Sequence, residues 1–96
     1  MKKKADGNTL TMILNGVINT MTAFDLEKEI QGSIEGVENL VFDFNGIKYI
    51  SSAGLRVLLH TQKAMGKRGS MLLKGVNDKV NEIFEITGFD DVFTIE

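Results

Sequence analysis

Two adjacent hydroxyls, Ser51 and Ser52, stand between an apolar run and a stretch with helical spacing, which makes them the residues of this chain best placed for chemistry. The spacing predicts a helix that starts at this serine pair, with the Ser52 hydroxyl at its cap beside backbone N–H groups that lack an intrahelical partner. At that end the peptide dipoles sum to a partial positive charge, so added negative charge is tolerated. The plain role of such a serine is to accept a hydrogen bond from the second or third helical N–H. Ala53 and Gly54 tilt the reading, because Gly in a helix costs about 1 kcal/mol relative to Ala, and a helix start that accepts this cost has a use for the space. Asp43 lies near the carboxyl end of the preceding strand, where open α/β sheets place functional groups. Its expected role is to brace the loop before Ser52 by accepting backbone N–H bonds.

A nucleophilic serine needs a base within hydrogen-bond reach. The chain has one histidine, His60, eight residues along the same helix and thus roughly 12 Å from Ser52 along its axis, which excludes direct proton transfer. There is no Gly-x-Ser-x-Gly elbow, no Walker-type loop and no His/Asp/Glu cluster with ligand spacing, and Asp90-Asp91 reads as a solvated turn. The expectation is a protein that is not an enzyme and has neither metal nor cofactor. Arg56, His60, Lys63 and Lys67 recur at helical spacing, so they form either a solvent face or a basic rim to a contact surface.

Positioning these residues requires an α/β fold with a small mixed β-sheet packed against helices, in the order β-β-α-β-α-β-α-β. Thr9 to Asn15 alternates as a half-buried strand, and Gly16 then turns the chain into a short second strand, Val17-Ile18-Asn19. Thr22 with Asp25 three residues on gives a capping-box pattern for a helix whose stripe is Ala23, Leu26, Ile30 and Ile34, ended by Gly32 or Gly36. Asn39 to Phe44 is a strand whose continuous apolar stretch, Leu40-Val41-Phe42, predicts cover on both faces. The helix from Ser52 buries Leu55, Leu58, Leu59 and Met65 and breaks at Gly66; Ser70 to Lys74 follows as a strand. Asn77 or Asp78 starts the last helix, with Val80, Ile83, Phe84 and Thr87 on its stripe and Gly88 past its end. Val92 to Ile95 closes the chain as an edge strand.

The length of 96 residues suits one domain over 1–96 with a single core, and the absence of cysteine excludes disulfides and thiolate metal sites. Lys2 to Lys4 read as a solvated tail. They are followed by Asp6-Gly7-Asn8, not by an apolar signal region, and no run approaches a membrane span, so a cytoplasmic protein without membrane contact is expected. A net charge of −2 argues against a nucleic-acid surface, which needs a dense basic field.

The run Tyr49-Ile50-Ser51-Ser52-Ala53-Gly54-Leu55, preceded by Phe42-Asp43-Phe44 and followed by Arg56-Val57-Leu58-Leu59, resembles the STAS domain of bacterial anti-sigma factor antagonists. Further pieces match in order. Asn15-Gly16-Val17-Ile18-Asn19 is similar to the family's early Gly-x-x-Asp hairpin, Lys67-Arg68-Gly69-Ser70 to its basic turn, and Glu85-Ile86-Thr87-Gly88-Phe89 to its closing helix end. The resemblance implies that Ser52 accepts a phosphoryl group, with Ser51 a lesser candidate. It implies a partner surface of Ser51, Ala53, Gly54, Leu55, Arg56, Asn19 and Thr20. The implied partner is an anti-sigma factor serine/threonine kinase that otherwise sequesters a sigma factor, with a PP2C-type phosphatase restoring the binding form of a monomeric antagonist. Asn19 and Ser51 stand where many or some members carry Asp. An alternative within the resemblance is a constitutive STAS scaffold or accessory subunit of a signalling or transport assembly.

Overall fold

In the computed structural model, which describes residues 1–96, the chain runs β1 (Lys2–Asp6), β2 (Thr9–Ile18), α1 (Thr20–Gln31), β3 (Asn39–Ile50), α2 (Ser52–Gly66), β4 (Ser70–Lys74), α3 (Asp78–Thr87), a 3₁₀ turn (Phe89–Asp91) and β5 (Thr94–Ile95). The strands lie side by side in chain order, β1 antiparallel to β2 and every other pair parallel. Right-handed crossovers that all step in one direction must place their helices on the same face of the sheet. Burial agrees with this: Met12, Leu40, Phe42 and Leu73 are fully buried, while Thr11, Val41 and Leu72, aligned in one row across β2, β3 and β4, are only half-buried. The run Leu40-Val41-Phe42 is therefore covered on one face, not two.

The order of elements agrees with the sequence pattern, but its first two strands are different segments. Lys2 to Lys4 are exposed and nonetheless form β1, joined to β2 by the two-residue turn Gly7-Asn8. Gly7 has φ 60 and Asn8 has no positive φ, the pattern of a II′ hairpin turn, in which the first central position suits glycine. Lys3 reaches back to α1, its Nζ lying 2.8 Å from Glu29 Oε2 and 3.1 Å from Ser33 Oγ. The expected break at Gly16 is absent. β2 continues through it to Ile18, so Asn15 to Asn19 forms no hairpin.

β3 also outruns its expected end at Phe44. Its buried residues alternate as Leu40, Phe42 and Phe44 and then fall at Ile47 and Ile50, steps of three. Two register shifts against β2 account for the change: Ile13 pairs with Asp43 but Asn15 with Gly46, and Gly16 pairs with Ile47 but Val17 with Tyr49, so β3 carries an extra residue at each.

Helix α1 is capped by Asn19, three residues before the expected Thr22. Asn19 Oδ1 accepts from the Met21 and Thr22 N–H groups at 3.0 Å each, and Thr22 Oγ1 accepts from the Asn19 N–H at 2.8 Å, completing a capping box without Asp25. Gly32 ends the helix. α3 is capped by Asn77, whose Oδ1 accepts from Val80 N–H at 2.8 Å, and stops at Gly88. Beneath the helices, Phe84 meets Phe93 edge-on with ring centres 5.5 Å apart.

Candidate functional site

Because β2, β3 and β4 are parallel, α1, α2 and α3 all begin at the same end of the sheet. The Ile18 carbonyl at the end of β2 accepts the Ser51 N–H at 2.8 Å, which sets the starts of α1 and α2 side by side and brings Asn19 and Thr20 next to Ser51 and Ser52. The cap of α2 is Ser51, not Ser52. Its backbone is extended (φ −90, ψ 173), and its Oγ accepts from the Gly54 N–H, three residues on, at 3.4 Å. Reach decides this, since a cap oxygen meets the N–H two or three residues ahead. Ser52 is thereby the first residue of the helix, exposed, with a hydroxyl that makes no hydrogen bond within the chain. Ser51 is half-buried and committed to the cap, which separates the two serines that the sequence left as alternatives.

The neighbours divide into two groups. Asn19, Thr20 and Arg56 are exposed and Ala53 is half-buried, all beside or one turn beyond Ser52. Gly54 and Leu55 are buried and face inward. A Cβ on Gly54 would lie 2.6 Å from Ile18 Cγ2 and 2.6 Å from Ile50 Cγ1. The missing side chain makes room for the helix to sit on the ends of β2 and β3, not for an incoming molecule.

Asp43 is a brace, but of β3 itself. Its Oδ1 accepts from the Asn45 N–H at 3.0 Å and from the Asn45 amide at 2.8 Å, on the order of 20 Å along the strand from Ser52. The Asn45 backbone donor, then its side chain, and then the fields of Lys74 and Lys4 hold the Asp43 carboxyl below its ordinary value. His60 lies 3.9 Å from Glu27 on α1, so the expected basic stripe of Arg56, His60, Lys63 and Lys67 is an exposed face with one acidic neighbour. Asp90 and Asp91 are exposed in the 3₁₀ turn.

Sequence reasoning passed over four residues at this end of the molecule. Met21 (78 % exposed) and Phe24 (58 %) stand on the outer side of α1, and Tyr49 and Val17, paired across β3 and β2, are also exposed. Lys28 lies over the Phe24 ring at 4.7 Å from its centre. The signal was present in α1, where Met21 and Phe24 lie off the buried stripe of Ala23, Leu26 and Ile30. A groove of about 350 Å³ between α1 and β2 is lined by Met1, Leu14 and Leu26 among others and touches none of the residues expected to bind a partner.

A family model described as STAS domain matches residues 1–96. The protein named BtrV of Bordetella bronchiseptica, an anti-sigma factor antagonist by its name, is 38 % identical over 94 residues, covering 96 % of this chain and 80 % of its own. The structure of an anti-sigma factor antagonist from Mycobacterium paratuberculosis superposes with a TM-score of 0.88 at 22 % identity, over 98 % of this chain and 81 % of that one. Bacillus SpoIIAA in its phosphorylated form superposes with a TM-score of 0.76 at 14 % identity, over 99 % of this chain and 89 % of that one. At these identities the two superpositions speak to the fold alone.

Proposed function

The chain belongs to the STAS domain family, and on that footing we propose that it acts as an anti-sigma factor antagonist whose binding is switched by phosphorylation of Ser52. In this reading it is a cytoplasmic binding protein, not an enzyme, and has no cofactor of its own. Unmodified, it binds an anti-sigma factor serine/threonine kinase and so frees a sigma factor; phosphorylated, it lets go, and a PP2C-type phosphatase resets it. The observation that carries the proposal is the exposed, unbonded hydroxyl of Ser52, left over because Ser51 does the capping.

Electrostatics account for a switch that acts on association and spares the fold. A phosphoryl group brings about −1.5 to −2 charges at pH 7. Within the chain this charge meets the positive end of α2, which has no acidic residue in its first turn. A partner packed over Ser52 must instead desolvate the charge or leave.

The test uses a purified anti-sigma factor serine/threonine kinase from the same organism, with ATP, and reads the intact mass. One phosphoryl group is gained by the parent and by Ser51→Ala, and none by Ser52→Ala, which still binds the kinase. Ser52→Asp binds more weakly with a melting temperature unchanged or slightly raised. Unchanged affinity in Ser52→Asp, together with no transfer to the parent, would replace the switch with a constitutive scaffold.

A further inference from the structure

We propose that Arg56 holds the phosphoryl group once Ser52 carries it, and that in doing so its guanidinium leaves the surface offered to the partner. The inference rests on the reading of Ser52 as the phosphoacceptor.

Ser52 and Arg56 are four residues apart on α2 and both are exposed, so they share one face with Cβ atoms about 5–6 Å apart. Helical side chains lean toward the N-terminus, which carries the Arg56 side chain back over the turn containing Ser52. Nothing has to be broken for the two to meet. The structure contains one ion pair, Lys3 with Glu29, and one approach of the His60 ring to Glu27 at 3.9 Å, and Arg56 takes part in neither, nor in any side-chain hydrogen bond. Among the other cations of this region, Lys79 lies over the Tyr49 ring, Lys28 lies over the Phe24 ring, and Lys63 is roughly 16 Å from Ser52 along the helix axis. Lys48, exposed on β3 four residues before Ser52, is also without a partner in the chain, but it is not on the helix face that carries Ser52 and Arg56.

Phosphoryl transfer forms the bond from Ser52 Oγ to the γ-phosphorus of ATP and breaks the bond from that phosphorus to the oxygen kept by ADP. The hydroxyl proton passes to a base on the kinase. Residue 52, neutral before transfer, then presents three acceptor oxygens four residues ahead of an unpaired guanidinium. The planar fork of arginine suits two parallel N–H···O bonds to a phosphate, a geometry that lysine lacks. The tag therefore acts twice, adding an anion to the surface and drawing in a cation that the unmodified surface had offered.

The experiment uses full-length chain with phosphoserine installed at position 52 during synthesis, so that it needs no kinase. Phosphorus NMR follows the second ionisation of the phosphate in the parent, Arg56→Gln and Arg56→Lys. The expected result is a pKa higher by about half a unit in Arg56→Gln, with Arg56→Lys in between and the difference shrinking as salt is added. In the parent, the Arg56 side-chain N–H resonance shifts on phosphorylation. Equal phosphate pKa values in the parent and Arg56→Gln would overturn the proposal, and a loss of packing alone would not reproduce the expected shift. Failure of the kinase to modify Ser52 would overturn the switch reading while leaving this measurement intact.

Discussion

A one-residue difference in where α2 begins decides what each of two serines can do. Ser51 gives its oxygen to Gly54 and Ser52 keeps its own free, so a modification of Ser52 leaves the cap in place. Asp43 is the other residue whose environment has a measurable consequence. Its carboxyl is held below the ordinary value first by the Asn45 backbone N–H and next by the Asn45 side chain, so the folded state favours the ionised form. A depressed folded pKa contributes stability that is present above the unfolded value near 4 and is lost as pH falls through the lower folded value. Asp43→Asn, which resembles the protonated acid, is expected to unfold about 0.5–1 kcal/mol more easily than the parent between pH 5 and 8. The gap should close as the pH is taken below the ordinary carboxylate range. Urea titrations of both proteins across that range measure it, and a gap that did not change with pH would remove the role given to the charge.

At the scale of elements, α2 is fixed to the sheet by Gly54, the one residue whose missing side chain lets Ile18 and Ile50 approach. Both isoleucines are buried and β-branched, with little rotamer freedom to yield. Gly54→Ala gains roughly 1 kcal/mol of helix propensity and costs about 1–3 kcal/mol of overpacking, so a net loss of up to about 2 kcal/mol is expected. The urea midpoint should fall with an unchanged slope. An unchanged midpoint together with lost partner binding would instead mean that the space serves the partner. This contact joins residues 18, 50 and 54, which the sequence presents as separate, and that is why the glycine read as an opening. Legibility followed the same physics throughout. β4, α2 and α3 were readable because their apolar spacing is unbroken and Gly66 and Gly88 punctuate it. β1 was missed because three consecutive lysines look like a tail, although the Gly7-Asn8 turn and the reach of Lys3 to Glu29 hold it as an edge strand. The far half of β3 was missed because its two extra residues break the alternation that marks a strand.

For the molecule as a whole, strands in chain order with helices on one face gather three helix starts at one end. The same end exposes Met21, Phe24, Val17 and Tyr49 around Ser52. Scattered surface apolar residues need no explanation, but several beside a candidate switch make the surface to test for the proposed partner. Phe24 and Tyr49 each carry a lysine over the ring, so the partner surface that complements them is apolar with an acidic border. Buried aromatic anchors account for most of the affinity of such contacts, whereas rim charges set the rate of encounter. Replacing Phe24 and Met21 together by serine is expected to weaken binding of the proposed kinase partner at least about tenfold, since central aromatic anchors cost about 2 kcal/mol or more when truncated. The melting temperature should hold, because neither side chain contributes to the buried core. Ile86→Ser is the control: it is 78 % exposed but sits near the far end of α3, away from the helix starts. Titration calorimetry of parent, double variant and control separates the outcomes. Equal losses in the double variant and the control, or none in either, would mean that the partner docks somewhere other than the shared starts of α1 and α2.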